Sequence, residues 1–178
     1  VNNGTISLRD TVVIQKKIEF NEDNVTILGL QPGDYITVDQ LLYGLLISSY
    51  NDCAIALARY VAGSVSDFVD MMNEKAVELG ATNSHFVNPH GLHDNNHYTT
   101  PYDLYLIFKC FLENDTLVSI DSNSEYTIRF YRDEELVEVD IIATNGFLSN
   151  AFTMPTGYRI TGLKTGTTEK AGNCIILE

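Results

Sequence analysis

The sequence predicts an α+β layered domain. Three observations point there. The middle of the chain carries apolar residues at helical spacing, the last third changes to strict alternation, and the first third holds short β-branched runs between turn signals. With 178 residues the chain is expected to form a single domain over 1–178, long enough to bury a core without staples.

The elements follow in order. Residues 10–38 read as short strands and turns, with Thr11-Val12-Val13-Ile14 β-branched and Gln31-Pro32-Gly33-Asp34 a turn. Thr37-Val38-Asp39-Gln40 reads as a capping box ahead of Leu41, Leu42, Leu45 and Leu46 at helical spacing. That helix is apolar on most sides, so a central position is expected. It breaks at Ser48-Ser49-Tyr50. Asp52 is expected to cap a second helix, which carries Ile55, Ala58, Val61 and Ala62 and stops at Gly63. Ser64 or Ser66 opens a third, with Phe68, Met72, Ala76 and Leu79 on one stripe and Gly80 as its stop. A loop covers 82–99. Thr100-Pro101-Tyr102-Asp103 combines a cap, a first-turn proline and an acidic third position, and the helix it opens should turn Leu104, Ile107, Phe108, Phe111 and Leu112 inward. Tyr126, Ile128 and Phe130 alternate with polar residues, and so do Val137, Val139 and Ile141 after a charged turn. This predicts a hairpin. A second hairpin is expected from Arg159–Thr167 and Asn173–Leu177.

Composition narrows the function classes. Lys and Arg number 11 against 24 Asp and Glu, a net charge of −13. Such a surface repels phosphate backbones, so nucleic acid is excluded as an expected partner, and anionic membrane surfaces are disfavoured. No apolar run approaches the ~20 residues of a membrane span. Cys53, Cys110 and Cys174 are isolated and odd in number, with no C-x-x-C. They are expected to be buried free thiols rather than metal ligands or a disulfide framework.

Three groups of residues carry possible chemistry. Ser49-Tyr50-Asn51 lies between two helices, where a hydroxyl and an amide, each both donor and acceptor, are held at a fixed point. The plainer reading is N-capping of the second helix. Lys164-Thr165-Gly166, followed by Thr167 and Thr168, sits on an expected strand. Lysine offers a charge and a movable proton, threonine a hydroxyl, and glycine room for a second backbone to approach. The plainer reading is a strand leading into a turn. His90, His93 and His97, near Asp94 and His85, could clamp zinc, but the spacing is not that of a usual zinc site, and no metal is expected there. Asp133-Glu134-Glu135 reads as a solvated turn.

Taken together, the first two groups match the second and third members of the set S-x-x-K, S-D-N and K-T-G. The stretches Leu41–Ala58, Asn73–Leu92 and Gly162–Cys174 closely resemble D-alanyl-D-alanine carboxypeptidases of the low-molecular-weight penicillin-binding class. The resemblance rests on Ser49-Tyr50-Asn51-Asp52, Asn73-Glu74-Lys75-Ala76, Phe86-Val87-Asn88-Pro89-His90-Gly91-Leu92, His97-Tyr98-Thr99-Thr100 and Leu163-Lys164-Thr165-Gly166-Thr167-Thr168. It is thin between about residues 115 and 155. It implies the α+β serine β-lactamase/DD-peptidase-like fold, an antiparallel sheet packed with helices, truncated at both ends.

The resemblance also implies roles. Ser49 would relay a proton near the leaving amine, and Asn51 would hold the substrate amide. Lys164 would tune Ser49 and attract the substrate's terminal carboxylate, which Thr165 would hydrogen-bond. Gly166 would admit the substrate backbone, and the Thr167 N–H would supply half of an oxyanion hole. No metal or organic cofactor is implied. The implied partner is a peptidoglycan stem peptide ending in D-Ala-D-Ala, with β-lactams for the intact parent. The implied location is extracytoplasmic, in a bacterial envelope or secreted. One departure stands out: no serine in the chain has lysine three positions on. The expectation is therefore a portion of a serine-type carboxypeptidase without its nucleophile, inactive alone. The missing helix should leave an apolar groove lined from Leu41–Ile47, open to self-association. The alternative is a noncatalytic peptidoglycan-binding or metal-binding module.

Overall fold

The computed structural model of the chain describes residues 6–22, 24–149, 151–153, 156–157, 162 and 164–176. A four-stranded antiparallel sheet runs in the order β1-β2-β3-β4. Its strands are β1 (Thr11–Val13), β2 (Tyr35–Thr37), β3 (Glu125–Arg132) and β4 (Glu135–Ile142). Among the described residues, five helices lie between and beside them: α1 (Val38–Ser48), α2 (Asn51–Ala62), α3 (Val65–Glu78), α4 (Pro101–Leu112) and α5 (Asp115–Asp121). A separate hairpin, β5 (Thr165–Thr168) with β6 (Gly172–Ile175), closes the described chain. None of the described helices is long and apolar enough to cross a membrane.

The expected central helix is α1. It buries Leu41 and Ile47 in one core with Ile36, Ile128, Phe130 and Ile141 of the sheet, and it also packs on α2. Alternation along β3 and β4 supplies the inward residues of that interface, as the period of two requires. Where α1 and α2 cross, a side chain at Gly44 would put its Cβ 2.8 Å from Cys53 Sγ and 3.2 Å from Tyr50 Cδ2. Glycine is what lets the two helices approach there.

Several local expectations change on inspection. Thr37 does cap α1, accepting from the Gln40 N–H at 3.4 Å. The reciprocal half of the capping box is not made. The Gln40 side chain instead donates to Tyr126 Oη (2.7 Å) and accepts from the Arg129 N–H (2.6 Å), tying α1 to β3. Asp52 does not cap α2, whose first turn begins after Tyr50 with no side-chain cap. Its buried carboxylate accepts from the backbone N–H groups of Leu28, Gly29 and Leu30 at 2.9, 2.8 and 3.0 Å. It also accepts from the Cys53 N–H next to it at 3.1 Å, so the carboxylate joins the first turn of α2 to residues 28–30 instead of serving as its N-cap.

Ser64 opens α3 and Thr100 opens α4, each accepting from the N–H three residues on. On α3 only Ala76 of the expected stripe is fully buried, and on α4 Leu112 is exposed while Asp103 is the buried residue. The α3 and α4 faces are shallower than their periodicity suggests. Helix α5 was not expected; it has seven residues, too few to show a period. The β3–β4 turn places Asp133 and Glu134 at φ 49° and 66°, with Arg132 opposite Glu135. That is a two-residue turn of the type that suits strand twist, made without the usual glycine or asparagine. Of the cysteines, Cys53 is buried as expected. Cys110 is only half-buried and Cys174 is exposed on β6, because β6 presents all four of its residues to solvent.

An apolar groove does run beside α1, but not along the whole of Leu41–Ile47. Leu41 and Ile47 point into the sheet interface. Val38, Leu42 and Leu45 line the groove with Leu57, Val61 and Phe68, around a volume of about 460 Å³.

Candidate active site

The site begins with the way α1 ends. Ser49 adopts the left-handed conformation (φ 56°, ψ 35°), and the Tyr50 N–H returns to the Gly44 carbonyl at 3.1 Å. This conformation stops the helix and starts α2 two residues later, so Ser49 closes one helix rather than capping the next. The end is pinned from the side. Ser48 Oγ donates to the Ile142 carbonyl at 3.2 Å, and the Thr144 N–H donates to the Ile47 carbonyl at 3.0 Å. The chain leaving β4 therefore satisfies the helix terminus and fixes where Ser49 points.

Lys164 reaches that point from 115 positions away: its Nζ donates to Ser49 Oγ. Nζ also donates to the Thr165 carbonyl at 2.6 Å. Lys164 immediately precedes β5, and its own carbonyl accepts from the Ile176 N–H at 3.1 Å, so it is held by the hairpin ladder. Thr165 Oγ1 lies 2.8 Å from Thr144 Oγ1. Strand β5 is thereby tethered to the same segment that pins α1. A side chain added at Gly166 would meet nothing within 4 Å, which leaves the outer side of the strand open to an approaching backbone.

Ser49, Lys164 and Thr165 are thus brought together, with Gly166 beside them. Asn51 stands next to Ser49, but its amide is engaged. Nδ2 donates to the Thr26 carbonyl at 2.9 Å and, at 3.4 Å, to the Ser49 carbonyl. Thr167 Oγ1 donates to Asn173 Oδ1 at 3.0 Å across the hairpin. The expected strand start at Arg159 and strand end at Leu177 fall outside the described residues.

Two participants were not expected. Thr144 lies in the stretch where the sequence offers no motif. Asp121, the last residue of α5, is 5% exposed, and a Cβ at Gly162 would sit 2.7 Å from its Oδ2. Burial pushes the Asp121 carboxyl up to about 6, with the Lys164 charge acting against that rise. Burial pulls the Lys164 ammonium below its ordinary value, and Asp121 opposes it. No local pattern could have shown a lone aspartate at the end of a short helix to be part of this cluster.

The histidine loop does structural work. His97 Nδ1 accepts from the Val87 N–H at 3.3 Å and His90 Nδ1 from the Leu92 N–H at 3.2 Å, which leaves both rings neutral with the proton on Nε2. Phe20 packs edge-on against His90 and Phe86 against His97. Among the described residues, no group of three or more His, Cys, Asp or Glu is placed to hold a metal ion.

With this geometry in place, the comparisons with known proteins are specific. The profile of the D-alanyl-D-alanine carboxypeptidase family, peptidase S11, matches residues 1–178. The chain is 33% identical over 146 residues to D-alanyl-D-alanine carboxypeptidase DacF of Bacillus subtilis, covering 82% of this chain and 35% of the relative. It is 35% identical over 147 residues to DacC of Escherichia coli, covering 83% and 34%. A point variant of the Streptomyces K15 DD-transpeptidase superposes with a TM-score of 0.85 at 29% identity, over 98% of this chain and 68% of that one. Penicillin-binding protein 6B from Escherichia coli gives a TM-score of 0.80 at 26% identity, over 99% and 53%. The chain spans about a third of the length of the curated relatives it matches. Its helices and antiparallel strands are those of the DD-peptidase fold, and the chain belongs to the D-alanyl-D-alanine carboxypeptidase family.

Proposed function

We propose that this chain is the substrate-binding and proton-relay portion of a serine-type D-Ala-D-Ala carboxypeptidase, with the nucleophile outside residues 1–178. The observation that carries the reading is the Lys164 ammonium donating to Ser49 Oγ across 115 residues, beside Thr165 and an open Gly166. The substrate is a peptidoglycan stem peptide ending in D-Ala-D-Ala, which places the enzyme outside the cytoplasmic membrane. The supporting chemistry is acyl transfer. A serine oxygen from a Ser-x-x-Lys segment attacks the penultimate carbonyl carbon, the C–N bond breaks, and the departing D-alanine amine takes a proton delivered through Ser49. Water then attacks the ester, and the shortened peptide leaves. Lys164 holds Ser49 as donor and offers its charge to the substrate's terminal carboxylate, with Thr165 beside it. The Thr167 N–H forms half of the oxyanion hole, the nucleophile's own N–H the other half. Asn51 steadies Ser49 through its carbonyl and lines the side where the substrate amide lies. No metal or organic cofactor enters these steps, and β-lactams acylate the same serine in the intact enzyme.

The test uses a chain extended at its amino end through a Ser-x-x-Lys segment and completed at its carboxyl end. Incubated with a tripeptide ending in D-Ala-D-Ala, it should release one equivalent of D-alanine per peptide, and the 178-residue chain should release none. Binding of the peptide by the extended chain without release would favour a noncatalytic peptidoglycan-binding module.

A further inference from the structure

The buried carboxylate of Asp121 has no part in the chemistry described so far, yet it is built into the cluster. Three features place it there. It ends α5 at 5% exposure, although an unpaired aspartate is among the residues least often fully buried. The position facing its Oδ2 is Gly162, where any Cβ would come within 2.7 Å, so the chain entering β5 leaves room for the carboxylate. Its electrostatic partner is Lys164, two residues further along that chain. Helices α1 and α4 pack on α5. Among the described residues, their charged groups Asp39, Asp103 and Lys109 do not act on Asp121, and Lys164 does. Conversely, Asp121 is the charge among the described residues that acts on Lys164. Among the described residues no direct ion pair joins the two, and the ammonium donates to Ser49 Oγ and the Thr165 carbonyl.

We propose that Asp121 is a positioning residue for Lys164: its buried carboxylate is the counter-charge that keeps the Lys164 ammonium protonated, and donating to Ser49, inside a desolvated site. Desolvation alone favours the neutral amine, which would reverse the hydrogen bond and make Ser49 the donor to Lys164. A carboxylate near the ammonium but not bonded to it supplies the opposing field without taking its donors. The pair behaves as one coupled system, in which removing either charge moves the titration of the other.

The role in acyl transfer rests on the carboxypeptidase reading, but the coupling can be measured without activity. The 178-residue chain, with lysine ¹³Cε and aspartate ¹³Cγ labels, is titrated by NMR as the parent and as Asp121→Asn and Lys164→Met. In Asp121→Asn the Lys164 midpoint should fall by about one pH unit or more, the usual effect of an opposite charge at short range. In Lys164→Met the Asp121 midpoint should rise correspondingly, an arm that stays informative if the asparagine variant fails to fold. Unmoved midpoints would overturn the proposal. In the extended enzyme, Asp121→Asn should move the alkaline limb of the acylation pH profile to lower pH by the same interval, because Lys164 loses its proton earlier. A merely structural role would lower the whole profile without moving that limb, and that outcome also overturns the proposal. Coupled midpoints in a chain whose extended form never acylates would leave the pair standing and refute the carboxypeptidase reading. Acylation with uncoupled midpoints would do the opposite.

Discussion

Replacing Lys164 with alanine in the extended enzyme is expected to slow β-lactam acylation by about a hundredfold to ten-thousandfold, the range that loss of one positioned proton-transfer group produces. Lys164 is held on the hairpin and directed at Ser49 Oγ, so alanine removes both the donor and the charge proposed to meet the substrate carboxylate. Lys164→Arg separates the two contributions. Arginine keeps the positive charge, but its planar fork holds its protons too tightly and too far out to relay one through Ser49. Substrate affinity should therefore survive in the arginine variant while kcat falls nearly as far as in alanine. The measurement is stopped-flow acylation with a chromogenic cephalosporin, together with kcat and KM on the D-Ala-D-Ala peptide. Full activity in Lys164→Arg would show that Lys164 acts only as a charge.

Asp52→Ala should cost about 3–5 kcal/mol of stability, the range for stranding partners of a buried charged group. The Asp52 carboxylate, 2% exposed, accepts three consecutive backbone N–H groups of residues 28–30. Alanine leaves all three donors buried or half-buried without a partner. For a domain of this size that corresponds to a fall in melting temperature of roughly 10 °C. The same segment carries Thr26, whose carbonyl accepts both the Asn51 backbone N–H and the Asn51 amide at 2.9 Å. The change should therefore loosen Asn51 as well as the core. Thermal unfolding followed by circular dichroism checks the first effect. Asp52→Asn should lie between the parent and alanine, because it keeps one acceptor oxygen. A loss under 1 kcal/mol in alanine would mean that the 28–30 segment finds other acceptors.

The contrast between these two residues shows how much the sequence discloses. Lys164 and Ser49 were legible because each sits in a short pattern whose residue types suit the chemistry, and the fold then had only to bring them together. Helices α1, α3 and α4 were legible because their caps and apolar spacing are local, and α2 because of its apolar spacing and the Gly63 stop. Asp52 was misread because its local setting, an acid in the first turn of a helix, looks like a cap, while three of its four backbone donors lie more than twenty positions upstream and only Cys53 is local. Gln40 was half-read for the same reason: its cap geometry is local, but its side chain goes to β3. Asp121 and Thr144 could not be read at all. They belong to the site through tertiary placement, on a helix too short to show a period and on a segment with no motif. Cys174 was placed inside on the strength of apolar neighbours, but alternation on an outer hairpin says nothing of whether either face is covered.

Mapping a β-lactam adduct tests most directly whether Ser49 is the proton relay and not the nucleophile. The 178-residue chain and the extended chain are each incubated with a fluorescent penicillin, digested and sequenced by mass spectrometry. The 178-residue chain should carry no adduct. The extended chain should carry one, on the serine of its Ser-x-x-Lys segment, and Ser49→Ala should slow its formation without changing its position. An adduct on Ser49, or labelling of the short chain that disappears in Ser49→Ala, would contradict this assignment and make Ser49 and Lys164 the nucleophile and its base.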